Sequence, residues 1–215
     1  MTIARRGLFI SVEGADGSGK STQARRLAEH LRTRGHVVVE TREPGGGGEG
    51  AMAIRQLLLN GPPERWTPAA EALMMYAARA EHLAKLIRPA LFDGKTFITD
   101  RFADSTMAYQ GIAGGFGATA VAALHAVIVG KDDPDLTLVL DVPADIGLKR
   151  AGARRGGESR FEDKGPALRR AVRDAFLAIA RAAPARCKVI DASADEETVW
   201  RAVAKAVDGA LQSRL

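Results

Sequence analysis

The segment Gly14-Ala15-Asp16-Gly17-Ser18-Gly19-Lys20-Ser21 constrains this chain more than any other. It fits the pattern G-x-x-x-x-G-K-[ST] and joins two segments of different periodicity. Before it, Leu8-Phe9-Ile10-Ser11-Val12-Glu13 is a short apolar run rich in strand formers. After it, Ala24, Leu27, Ala28 and Leu31 recur at helical spacing. A strand, a glycine-rich turn and a helix start, in that order, aim backbone N–H groups and a positive helix end at one point. Glycines let the backbone curl around an anion without Cβ clashes. In such a loop Lys20 reaches the β- and γ-phosphates of a nucleotide, and the Ser21 hydroxyl binds Mg²⁺. Gly14, Ala15, Asp16, Gly17, Ser18, Gly19, Lys20, Ser21 and Thr22 are therefore the expected cradle of a nucleoside triphosphate.

The rest of the chain supplies a setting for that loop. Strand-like runs recur at 8–13, 37–41, 96–100, 136–141 and 188–191, with helical patterns between them. The alternation predicts βαβ units, hence an α/β fold with a parallel sheet flanked by helices. Residues 69–91 read as one long helix, with Leu73, Tyr76, Ala77, Ala80, Leu83, Ala84 and Ile87 on one side and Pro89 marking a kink or end. Val199, Val203, Val207 and Leu211 form the stripe of a last helix, for which Ser193-Ala194-Asp195-Glu196 offers a capping box. No linker or repeat interrupts residues 1–215, so one domain is expected. In parallel sheets ligands bind beyond the carboxyl ends of the strands. Glu13, Arg42, Asp100, Asp141 and Asp191 stand at those ends.

Composition narrows the partners. With 215 residues, 46% of them hydrophobic, the chain can bury a sizeable core, and disorder is not expected. Met1–Arg6 is basic, but the apolar run after it meets Ser11 and Glu13 too soon for a signal peptide. No run approaches the ~20 apolar residues of a membrane span. The single cysteine, Cys187, excludes an intramolecular disulfide and suits a cytoplasmic location; it reads as a small residue opening a strand. His30, His36, His82 and His125 lack metal-ligand spacing and read as helix-face or surface residues. The net charge of +5 gathers at Arg150, Arg154, Arg155 and Arg160, and again at Arg169, Arg170 and Arg173. No aromatic interleaving accompanies it, so phosphorylated small molecules are expected rather than nucleic acid or a membrane.

Three segments carry further chemistry. Thr41-Arg42-Glu43-Pro44-Gly45-Gly46 and Ile98-Thr99-Asp100-Arg101-Phe102 each place an arginine at a strand end, beside the phosphate loop. Two guanidiniums converging there suit a second, acceptor phosphate, because each binds it bidentately. Asp100 can hold Mg²⁺ or its waters, or orient the acceptor. The segment of residues 150–162 combines glycines with four arginines and reads as a lid. Arg154 or Arg155 would stabilise charge on a transferring phosphoryl group, and closure would exclude water. An arginine in that role is worth ~10³–10⁵ in rate.

From Leu8 to about Ala206 these motifs resemble the bacterial thymidylate kinases. The resemblance rests on the phosphate loop, the Thr41–Gly46 turn, Ala77-Ala78-Arg79, Asp100-Arg101-Phe102 with Ser105, Ala108, Tyr109 and Gln110, and the lid ending Arg160-Phe161-Glu162. It implies a three-layer P-loop NTPase fold with a five-stranded parallel sheet, ATP as donor, dTMP as acceptor and a homodimer. It also implies that Asp16 contacts the acceptor, that Arg42 and Arg101 hold its phosphate, and that Arg79 bonds the thymine. Ser105, Thr106, Tyr109 and Gln110 would surround base and sugar. Met75 stands where the family often carries a stacking Phe, and Gly47 and Gly48 lengthen the glycine run. Family members carry the assisting arginine either in the loop or in the lid; Gly17 and the Arg154-Arg155 pair fit the second style.

Two other readings stay open on the residues. A kinase for another nucleoside monophosphate differs little, since one methyl group in a pocket is worth ~1–3 kcal/mol. A nucleotide-switched regulatory module would need a guanine-reading N/T-K-x-D segment, which the chain lacks.

Overall fold

The computed structural model describes residues 6–152, 160 and 165–212. Five parallel strands form one sheet in the order β2-β3-β1-β4-β5. They are β1 (Phe9–Glu13), β2 (Val38–Arg42), β3 (Thr96–Asp100), β4 (Leu136–Asp141) and β5 (Cys187–Asp191). The expected strands are all present, shifted by at most one residue at an end. The shift at β2 matters: Arg42 is the last residue of that strand, in register with Asp100.

Strand alternation distributes the core over both faces of the sheet. Ile10, Val12, Ile98, Leu138 and Leu140 point to one side. There they meet Ala24, Leu27, Ala28 and Leu31 of α1 (Lys20–Thr33) and Val199, Val203 and Val207 of α9 (Glu196–Gln212). Phe9 and Phe97 point to the other side and pack edge-to-face, with ring centroids 5.6 Å apart. Tyr76 of α3 (Pro68–His82) and Leu83, Ile87 and Phe102 close over them. Val139 meets Val172 and Phe176 of α8 (Pro166–Ala182). Each such side chain contributes roughly 1.5–3 kcal/mol when taken from water. The remaining helices are α2 (Glu49–Leu59), α4 (Arg88–Phe92), α5 (Ala103–Thr106), α6 (Ala118–Ile128) and α7 (Ala144–Gly152).

The long helix of residues 69–91 is interrupted just ahead of Pro89 and ends shortly after it, at Phe92. It runs as α3, a π-helical turn at Leu83–Ile87, and α4, with Pro89 in the first turn of α4. Proline lacks an N–H, and a wider turn ahead of it relieves the missing bond and the ring clash. Several local expectations are corrected. The apolar side differs: Leu73 is 55% exposed, and Ala77 and Ala84 face outward. The buried face instead carries Glu71, Arg79 and His82 beside Ala72, Tyr76 and Ala78, because their polar groups find partners inside. His82 is thus not a surface residue. The cap of α9 is Asp195, whose carboxylate accepts from the Thr198 N–H at 2.9 Å. The Ser193 hydroxyl, the expected cap, donates to Asp191 instead at 2.6 Å.

Candidate active site

The phosphate loop lies between the buried end of β1 and the first turn of α1, as the motif requires. Gly17 takes φ 80°, a left-handed conformation that favours glycine. A Cβ there would stand 2.0 Å from the Gly147 carbonyl oxygen of α7. The loop and the helix leading to residues 153–159 are therefore in backbone contact. The α1 ladder begins with Gln23 N–H bonding to Gly19 O at 3.0 Å, and its first turn holds no acidic residue. Helix-start amides lack intrahelical acceptors, so a positive helix end remains free to meet an anion. Lys20 Nζ donates to Ala15 O at 2.8 Å. Burial, joined by the like charge of Arg101, lowers the Lys20 ammonium to about 8 against the pull of Asp16, Asp100 and Glu13.

Ser21 and Asp100 stand side by side, the Ser21 hydroxyl donating to Asp100 Oδ2 at 2.5 Å. These are hard oxygen donors next to the loop. Mg²⁺ commonly takes one or two protein oxygens and completes its shell with phosphates and waters. Among the described residues no group of three or more His, Cys, Asp or Glu side chains could form an all-protein cage. The donor set therefore fits a metal that arrives with a nucleotide.

Beside the loop, Arg101 is the centre of a polar knot. It is the one non-glycine among the described residues with positive φ, 71°, a conformation costing on the order of 1–3 kcal/mol. Its Nη1 donates to Gly14 O at 3.0 Å and Ser105 Oγ at 2.9 Å. Its Nη2 donates to Asp16 Oδ1 at 2.5 Å and Tyr109 Oη at 3.3 Å. Tyr109 in turn donates to Asp16 Oδ2 at 3.0 Å. Burial would raise the Asp16 carboxyl, but the charges of Arg101 and Lys20 hold it down at about 2. Burial also works against the Arg101 cation, yet Tyr109, Asp16 and Asp100 leave it above its ordinary value. Glu13 supports the knot from below. Its carboxyl accepts from Phe102 N–H at 2.7 Å and Ser105 Oγ at 2.6 Å. Burial, with Asp104 nearby, pushes it up to about 8.

The third cluster is built on α3. Arg79, only 1% exposed, lies between the rings of Tyr76 and Phe102, 4.6 and 5.2 Å from their centroids. Its Nε donates to Glu43 Oε2 at 2.9 Å and its Nη2 to Thr106 Oγ1 at 3.0 Å. The Arg79 Nη1 and Tyr76 hydroxyl are buried without a hydrogen-bond partner among the described residues. Glu43 also pairs with His82 Nδ1 at 2.9 Å. Gly46 is needed beside them, because a Cβ there would lie 2.4 Å from His82 Nε2. Met75, one turn before Arg79, is half-buried.

The structure thus brings together Asp16, Lys20, Ser21, Asp100, Arg101, Ser105 and Tyr109, with Arg79 and Thr106 paired nearby. Gln110 is committed elsewhere: its amide donates to Glu71 Oε2 at 2.9 Å. Arg42 is exposed, and its guanidinium makes no hydrogen bond or ion pair among the described residues. Arg154 and Arg155 lie outside the described residues. Two strand-end carboxylates are structural: Asp141 holds Arg173 through two bonds of 2.6 and 2.8 Å, and Asp191 holds Ser193. Arg150 spends its guanidinium on the carbonyls of Ala192, Ser193 and Ala194. Sequence reasoning missed Glu43, His82, Glu71 and Gly147. The signal for the first two was present, since Glu43 lies inside the Thr41–Gly46 turn and His82 three residues after Arg79, on the same helix face.

Comparison with known proteins agrees with this geometry. The family model described as Thymidylate kinase matches residues 12–203. The thymidylate kinase of Caulobacter vibrioides is 52% identical over 202 residues, covering 94% of this chain and 96% of that protein. That of Dinoroseobacter shibae is 53% identical over 197 residues, covering 92% and 94%. The crystal structure of thymidylate kinase from Ehrlichia chaffeensis superposes with a TM-score of 0.76 at 33% identity, covering 94% of this chain and 99% of that one. The chain belongs to the thymidylate kinase family.

Proposed function

We propose that this chain, acting as one kinase domain, transfers the γ-phosphoryl group of ATP to the phosphate of dTMP, giving ADP and dTDP. The observation that carries the reading is the Arg101–Asp16–Tyr109 knot. One carboxylate, set within the phosphate loop, is shared by an arginine and a tyrosine that follow β3, so donor and acceptor sides meet at Asp16. Lys20 and the loop amides neutralise the donor phosphates. Arg101, and Arg42 from the neighbouring strand, clamp the acceptor phosphate. Arg79 reads the base with Thr106, Met75 covers it, and Gln110 borders the pocket. Ser21 and Asp100 would hold Mg²⁺, which would supply charge compensation for the donor phosphates. Arg154 or Arg155 meets the developing charge of the transferring group. Rate enhancement then comes from positioning and fixed electrostatics.

The same reading includes a homodimer in the cytoplasm. α6 presents Ala122, Ala123, Ala126 and Val127 outward, Val127 being 81% exposed, and α3, which packs against α6, leaves Leu73 exposed. An apolar helix face of this kind suits a second copy of the chain. Cys187 is free and buried, and burial raises its thiol to about 11, which keeps it unreactive. Among the described residues no helix is long and apolar enough to cross a membrane.

The test is ADP release measured with ATP, Mg²⁺ and a panel of nucleoside monophosphates. The highest kcat/KM is expected with dTMP, dUMP falling behind by about tenfold or more. A preference for a purine monophosphate would contradict the assignment.

A further inference from the structure

Arg160 belongs to the arginine- and glycine-rich segment 150–162, yet it is 1% exposed. Its Nε donates to Pro62 O at 3.1 Å and its Nη1 to Leu58 O at 3.1 Å. Its Nη2 donates to Pro63 O at 3.0 Å and to Glu71 Oε1 at 2.6 Å. Leu58 lies in the last turn of α2, whose carbonyls lack intrahelical donors. One guanidinium thus ties together the end of α2, the α2–α3 connection and the start of α3. The other Glu71 oxygen accepts from Gln110. Glu71 stands one turn before Met75 and two before Arg79. Gln110 directly follows Tyr109. Both walls of the proposed dTMP pocket therefore meet at one buried carboxylate, and the cation opposite it comes from the segment that also holds Arg154 and Arg155.

We propose that Arg160 is a positioning residue for the acceptor: through Glu71 it sets the placement of α3 and Gln110. The inference rests on the proposed dTMP pocket between α3 and Met107–Ala113. The planar fork is what the site uses, because four acceptors are met in fixed directions. Lysine keeps the charge and cannot reproduce those directions. Since Arg160 and Gln110 bond opposite oxygens of Glu71, their effects on the acceptor must be coupled rather than independent.

The experiment is steady-state kinetics on R160K, Q110L and the double variant, with thermal melting as a check of folding. R160K is expected to raise KM for dTMP about fivefold or more while KM for ATP stays within about twofold. The double variant is expected to be no worse than the worse single one. Should R160K fail to fold, the pair E71Q/R160M removes both buried charges together and is expected to show the same acceptor-only change. A folded R160K with unchanged dTMP KM, equal changes in both KM values, or multiplicative effects in the double variant would overturn the proposal. A wild-type enzyme inert toward dTMP overturns the proposed function and this inference together; an active wild type with indifferent variants overturns this inference alone.

Discussion

Glu13 ends β1 with no exposure to water, and its carboxyl shifts from an ordinary 4.5 to about 8 because burial disfavours the anion and Asp104 adds to the effect. A raised value in the folded state means the protonated form is favoured there. The stabilisation it brings is complete below pH 4.5 and is lost as pH rises through about 8. Glu13→Gln is uncharged at every pH and still offers an acceptor to the Phe102 N–H. Denaturant midpoints are expected to fall less steeply for the variant than for wild type between about pH 4.5 and 8. Parallel curves would show that Glu13 does not titrate in that window. At this scale the sequence was a partial guide. Lys20, Ser21, Asp100 and Arg101 were legible because a loop motif or a strand end places them whatever surrounds them. Glu43 and His82 stood inside segments the sequence singles out, but their pairing spans 39 residues and exists only once α3 packs against the turn after β2. Even the burial of Arg79 follows from that pairing, not from its own helix.

Among the elements, the β1–loop–α1 unit was the most readable, since its periodicity changes abruptly at the glycines. The apolar side of α3 was the least readable. Its inner face meets buried polar partners, so Glu71, Arg79 and His82 are buried where leucines and alanines were expected, and Leu73 is left outside. The contact between Gly17 and Gly147 adds a physical reason for one sequence feature. With backbone 2.0 Å from any Cβ, position 17 has no room for an arginine side chain. An arginine assisting the transferring phosphoryl group therefore cannot stand at position 17, and Arg154 and Arg155 follow α7 in the sequence. Replacing both Arg154 and Arg155 with Ala is expected to lower kcat by about 10³ or more, with a smaller change in KM for ATP. Single-turnover rates check this. A double variant within about tenfold of wild type would remove these arginines from the chemistry.

At the scale of the whole molecule, sheet order explains why the site is where it is. β1 lies between β3 and β4, so the loop after β1 opens next to Asp100 and Arg101, with Arg42 one strand further out. Helix assignments foretold this arrangement only in class; strand order needs contacts between distant segments. The outward face of α6 belongs to the same scale. Val127→Glu would bury a charge in the proposed apolar interface and is expected to yield monomers in sedimentation, while wild type is expected to sediment as a dimer. A wild-type monomer at tens of micromolar, or an unchanged dimer in the variant, would contradict that assembly. The central claim is that two phosphates meet in line between the Lys20 cradle and the guanidiniums of Arg101 and Arg42. A crystal structure with dTMP, Mg²⁺ and a non-hydrolysable ATP analogue tests it most directly. The acceptor phosphate is expected within hydrogen-bond distance of Arg101 and facing the γ-phosphate. A dTMP molecule bound elsewhere, or turned away from the triphosphate, would contradict it.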